Sequence, residues 1–135
     1  MPSATDSPRP PRPPLRNVVA MLHVASVQRA AAFYALLGLE AGNTHHEPDC
    51  GEEPVWAWLQ SADGASLMLT QADAHVDPAV QGVLFYLYCD DVTAMHASLS
   101  AGGVAVGSVS YPFYCPCGEF RVTDPDGYVC MVAHT

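Results

Sequence analysis

The sequence contains no lysine, and five arginines carry all of its permanent positive charge. Three of them stand within "MPSATDSPRPPRPPLR", the first sixteen residues. Only Arg29 and Arg121 are then left against thirteen acidic side chains, a formal charge near −11 for the rest of the chain. A field of that sign repels nucleic acid and anionic lipid, and it favours a cationic small molecule or a basic partner. Long hydrophobic runs are also missing. No stretch approaches the ~18 apolar residues of a membrane span, and the first residues lack the apolar core of a signal peptide. The expectation is a cytoplasmic protein with neither nucleic acid nor membrane among its partners. Cysteines number five, at positions 50, 89, 115, 117 and 130, and without an export signal they are expected as reduced thiols. Cys89 and Cys130 fall inside apolar strand patterns. Cys115 and Cys117, in "CPC", have neither the CxxC spacing of redox enzymes nor half of a convincing zinc site.

At 135 residues the chain suffices for one compact domain with a real core, and is too short for two large ones. The first sixteen residues hold six of the twelve prolines and show no apolar period. Such backbone favours extended, solvated conformations, so a disordered or strapped-down tail over 1–16 should precede a single domain over 17–135. "NVVAMLHVAS" opens that domain as a β-rich run. In "VQRAAAFYALLGLE", Val27, Ala31, Tyr34 or Phe33, and Leu37 recur at helical spacing, with Ser26 placed to cap the start and Gly38 where the helix would stop. After a polar stretch, "VWAWLQ" and "SLMLTQ" form a hairpin through "SADG", whose Asp63-Gly64 suits a tight turn. The second half repeats this order. "VLFYLYCD" is a strand, "DVTAMHASLSAGG" a helix with Asp91 near its start, and "VAVGSVSYPF" loop and strand; "GEFRVT" and "YVCMVA" then pair across Asp124 to Gly127. A displacement of sixty-five positions lays Leu22 on Leu87, Val27 on Val92, Ala32 on Ala97, Gly38 on Gly103 and Gly42 on Gly107. This argues for a duplicated β-α-β-β-β unit, about 17–72 and 82–135.

Two stretches carry a family resemblance. "VQRAAAFYALLGLE", a helix ending in FY and LG, and "GEFRVTDPDGY", a penultimate strand and turn, are similar to those of the vicinal oxygen chelate superfamily, which includes glyoxalase I, extradiol dioxygenases, fosfomycin-resistance enzymes and bleomycin-resistance proteins. The resemblance covers about Asn17 to His134. It implies an α+β fold of two tandem βαβββ modules whose strands curve around a concave pocket, with the helices outside. In metal-dependent members, four inward-facing side chains, typically His, Gln or Glu, hold one divalent ion. The resemblance places those positions at Val19, Met68, Leu84 and Met131. None offers nitrogen or carboxylate oxygen, and methionine thioethers suit mainly Cu(I); shifts of one place along the strands also yield no hard-ligand set. What is implied is the metal-free, bleomycin-resistance-like branch: a homodimer without cofactor that sequesters a cationic or aromatic drug or metabolite. The alternative is a glyoxalase-, isomerase- or dioxygenase-type enzyme with a displaced metal site built from His23 and loop histidines or cysteines. A third possibility is a scaffold that docks through its Pro-Arg tail.

Candidate ligand contacts lie on the strand faces turned to the pocket. His23 shares a face with Val19 and Met21 by the two-residue strand period, and the duplication pairs it with Tyr88, beside Tyr86. Both could orient a ligand on a polar rim, or His23 could simply end a strand near solvent. No nucleophile or oxyanion donor can be paired with His23, so no catalytic residue is assigned. Trp56 and Trp58 share one face and offer stacking surface for a planar or cationic ligand, or else serve as core. A three-residue loop puts Trp58 opposite Met68 and into the pocket; a two- or four-residue loop turns it towards the helices. Phe113 and Tyr114 add aromatic surface. If Phe120 and Val122 face the helices, Glu119 and Arg121 face the pocket alongside Met131, where an ion pair between them is expected unless a ligand intervenes. His45 and His46 lie near Glu47, Asp49 and Cys50, metal-like by composition but adjacent in a polar loop. His75, His96 and His134 read as surface residues.

Overall fold

The computed structural model describes residues 12–134. Most of the Pro/Arg-rich segment, residues 1–11, lies outside the described residues, and 12–18 are exposed coil. The first half contributes β1 (Met21–Val24), α1 (Val27–Ala35), β2 (Glu40–His45), β3 (Trp56–Gln60) and β4 (Ser66–Gln71). The second contributes β5 (Phe85–Tyr88), α2 (Val92–Ala101), β6 (Glu119–Thr123) and β7 (Val129–Ala133). Short 3-10 turns occur at Pro48–Cys50 and Pro78–Val80. Two sheets result, in the orders β1-β4-β3-β2 and β5-β7-β6. The first and last strands of each half run parallel, the rest antiparallel. This is the expected α+β arrangement.

Local chemistry explains the elements. The Ser26 side chain accepts from the Arg29 N–H and the Asp91 side chain from the Ala94 N–H, so each helix has one of its unpaired N-terminal donors satisfied. Both helices exit through a glycine at the same left-handed angle, Gly38 and Gly103, each at φ +86°, a conformation that glycine adopts without steric cost. The first hairpin closes by the Ser61 N–H donating to the Ala65 carbonyl at 2.8 Å. Its loop is therefore Ala62 to Gly64, with Gly64 at φ +92°, a common three-residue hairpin geometry.

One element differs from expectation. The strand between α2 and β6 is reduced to two isolated bridges onto β6, Val106 with Val122 and Ser110 with Glu119. The pairing advances by one residue between them, and the same one-residue shift interrupts β2 between Ala41 and Thr44. In β2 the ladder resumes for two more pairs; in the second half it ends, because the chain then enters the Pro112 turn.

Each sheet packs one face into the core and turns the other outward. Leu22, Val24, Ala57, Leu59, Leu67 and Leu69 pack with Val27, Ala30 and Tyr34 of α1, while Phe120, Val122, Cys130 and Val132 join Val92 and Leu99 of α2 in one continuous core. The "DPDGY" turn clips the halves together. The Tyr34 hydroxyl donates to Asp124 Oδ2 at 2.7 Å, and the Ala25 N–H donates to Asp126 Oδ1 at 2.8 Å. Arg29 reaches the Pro125 carbonyl, and the Tyr128 hydroxyl the His23 carbonyl. Asp124 also binds its own turn through the N–H groups of Asp126 and Tyr128. Burial raises the Asp124 carboxyl above its usual range against these three donors, and burial likewise pushes Cys130 up to about 11.

Candidate functional site

Strand register decides which side chains share the outward faces. In the first sheet, Met21 stands beside Met68 and Met68 beside Trp58. One step along, His23, Thr70, Trp56 and His45 form a row across all four strands. Trp58 is thus opposite Met68, the register that turns both tryptophans away from α1. In the second sheet, Tyr86, Met131 and Arg121 form the row equivalent to Met21, Met68 and Trp58, and Tyr88, Ala133 and Glu119 form the next. His23 and Tyr88 occupy corresponding places, as the duplication implies.

The sequence-derived residues therefore fall into two groups. His23, Trp56, Trp58 and Met68 lie together on the first sheet; Tyr86, Tyr88, Glu119, Arg121 and Met131 lie together on the second. Phe113 and Tyr114 sit in the loop before β6, Phe113 almost wholly exposed and packed edge-on to Tyr114 with centroids 5.5 Å apart. Tyr86 and Tyr88 stack at 6.1 Å. A side-chain hydrogen bond towards Glu119, with that carboxylate's charge behind it, pushes the Tyr114 phenol up to about 12.

Val19 and Leu84 precede β1 and β5, and the residues beside Met68 and Met131 are Met21 and Tyr86. The thioethers of Met68 and Met131, one from the last strand of each parallel pair, make a poor set for a hard divalent ion even with Met21 and the Tyr86 phenol beside them, so these residues do not fit the metal that the resemblance implies for metal-dependent members. Three expectations need correction. Glu119 and Arg121 share a face but form no ion pair among the described residues; Glu119 is buried, 3% exposed, whereas Arg121 is exposed. His96 is half-buried, edge-on to Phe120 at 5.0 Å and bonded to the Gly107 carbonyl. His134 is half-buried as well, its Nδ1 without a partner. Both were misjudged because irregular backbone, invisible to periodicity, folds over them.

His45 bonds Glu47 at 2.9 Å, and among the described residues no three His, Cys, Asp or Glu side chains converge. Cys89, Cys115, Cys117 and Cys130 are unbridged; buried Cys115 donates to the carbonyls of Gly118 and His134. A cleft of about 690 Å³ opens beside β1 and the 72–84 connection, lined by Met21, His23, His75, Leu84 and Phe85 among others. Another, of about 630 Å³, lies between the halves, where Tyr86 and Tyr88 meet Leu37, Leu39 and Leu67. Met21 is the residue that sequence reasoning missed; its place in the Met68 row was signalled only by the parallel pairing, which no local pattern reveals.

The likeness to solved structures extends over nearly the whole chain. A bleomycin-binding protein complexed with bleomycin matches at TM-score 0.69 and 18% identity, covering 90% of this chain and 99% of that one. TnmS3, an antibiotic binding protein from Streptomyces sp. CB03234, matches at TM-score 0.71 and 21% identity, over 91% and 98%. Lactoylglutathione lyase from Agrobacterium tumefaciens matches at TM-score 0.66 and 18% identity, over 91% and 96%. At these identities the likeness establishes the fold. No curated relative matches the sequence. The family model of the glyoxalase/bleomycin resistance protein/dioxygenase superfamily matches residues 17–132, and the chain belongs to that superfamily.

Proposed function

We propose that this protein binds a small aromatic or cationic molecule reversibly, as a metal-free homodimer in the cytoplasm, and acts by sequestering it. The observation that carries this reading is the composition of the two outward faces. Trp56, Trp58, Met21, Met68 and His23 line one; Tyr86, Tyr88, Met131 and Arg121 line the other. Aromatic and thioether groups give stacking and adaptable apolar contact, and a hard-ligand set is missing from the four positions where enzymatic relatives hold an ion. A surplus of acidic side chains over the same body attracts cations. Two open faces on one chain also suit a pocket completed by a second copy, with the first half of one chain facing the second half of the other.

Isothermal titration and native mass spectrometry with cationic planar antibiotics test the proposal, with tryptophan fluorescence as a local reporter for Trp56 and Trp58. Saturable binding with quenching, at one ligand per half-dimer, is the expected result. Failure to bind any member of a broad panel overturns it.

A further inference from the structure

The Glu119 carboxylate is the one acidic side chain on these faces that is withdrawn from water, and its Oε1 has no hydrogen-bond partner. Leaving a carboxyl oxygen buried and unpaired is a costly polar defect. Two phenols are near the carboxylate: the Tyr86 hydroxyl donates to Oε2 over a long 3.5 Å, and the Tyr114 hydroxyl approaches from the preceding loop, leaving Oε1 without a partner. Arg121 lies two residues along the same strand face but makes no ion pair with it among the described residues. Around this carboxylate stand exposed rings, the stacked Tyr86 and Tyr88 and the perpendicular Phe113 and Tyr114. A buried oxygen without a partner, with aromatic rings near it that can attract positive charge, has the chemistry of half an interaction.

We infer that Glu119 is the anchor for a ligand's cationic N–H donor, an ammonium or amidinium group, while the ligand's aromatic body lies along Tyr86 and Tyr88. The inference rests on the sequestering role proposed above and narrows it to ligands that combine a protonated nitrogen with a ring. Glu119 meets the donor through Oε1, Tyr86 keeps Oε2 oriented, and Tyr114 rides on the loop that covers the pair.

The test compares wild-type protein with Glu119→Gln in protein-observed NMR titrations against three probes. These are benzamidine, its neutral isostere benzamide, and phenyltrimethylammonium, which is cationic but has no N–H. Expected is a loss of tenfold or more in benzamidine affinity on substitution, with the two other probes within twofold of wild type. The free Glu119→Gln protein is expected to melt close to the wild-type temperature, since the side chain keeps its shape and Oε1 has no partner to lose. Equal benzamidine affinity in both proteins overturns the anchor. A lowered melting temperature with all three probes weakened alike assigns Glu119 a structural role and also overturns it. Tyr114→Phe tests the neighbouring phenol in the same titrations: benzamidine selectivity over benzamide that persists supports the anchor, and its loss points to the phenol and against Glu119. If wild type binds planar antibiotics but not benzamidine, the anchor fails and the sequestering role stands. If benzamidine binds through Glu119 while the antibiotics do not, the drug-sequestering role fails and the anchor stands.

Discussion

Replacing Tyr34 with Phe removes one oxygen atom and tests the joint between the two halves. The lost donor meets a buried carboxylate ninety residues away at 2.7 Å, and hydrogen bonds to charged partners contribute about 1.5–3 kcal/mol. Asp124 keeps its bonds from the N–H groups of Asp126 and Tyr128, so a cost near the middle, about 2 kcal/mol, is expected. For a domain of this size that lowers the melting temperature by roughly 8 °C. The pH dependence adds a signature. Burial raises the folded-state Asp124 pKa, while the Tyr34 bond opposes that rise. A raised pKa means that the contribution is fully present below the unfolded value, about 3.9, and is lost as pH rises through the folded value. Without Tyr34 to stabilise the ionised form the folded pKa moves higher still, so Y34F should be more costly at pH 7 than at pH 3.5. Urea unfolding of Y34F, D124N and the double variant at both pH values measures the coupling. A Y34F effect below about 0.5 kcal/mol, or one equal at the two pH values, refutes the reasoning.

Gly127 stands at φ +95°, and an added Cβ would lie 2.6 Å from the Pro78 Cβ, whose ring cannot swing aside; G127A should destabilise by at least ~2 kcal/mol. G38A, at φ +86° but facing open space, should cost only about 1 kcal/mol, and equal melting temperatures for the two variants would contradict this contrast. S26A, which removes the α1 cap bond to Arg29, should lose about 1 kcal/mol by urea titration. Exhaustive chelation should leave antibiotic affinity within twofold; a large loss restored by a divalent ion would restore the enzymatic reading.

Much of the fold was legible because it rests on local rules. Ser26 and Asp91 cap, Gly38 and Gly103 stop, and Asp63-Gly64 turns, each within a few residues of what it controls. Alternation along "GEFRVT" likewise set Phe120 and Val122 on one face against Glu119 and Arg121, and the structure buries Phe120 and Val122 in the core. The candidate site was legible only as sets of residues on strand faces. Whether Met21 or Val19 adjoins Met68 depends on a parallel ladder between strands more than forty residues apart, and no short-range pattern encodes that register. The burial of Glu119 beside an exposed Arg121 was equally hidden, since both alternate outward and only Glu119 is bridged by the irregular segment before β6, at Ser110. "DPDGY" was read as a hairpin turn. Its larger role, as a clip from Asp124 and Asp126 onto Tyr34 and Ala25, appears only when the halves are docked.

The two halves use the same order of elements differently. The first keeps four paired strands and offers a firm platform, with Trp56 and Trp58 held by neighbours on both sides. The second has let its corresponding edge strand dissolve into the segment that carries Tyr111, Phe113 and Tyr114, all exposed. Loops tolerate substitution and insertion that strands do not. Under the proposed binding role, specificity can therefore be retuned residue by residue over 108–118, while the platform, the core and the clip between the halves remain as they are.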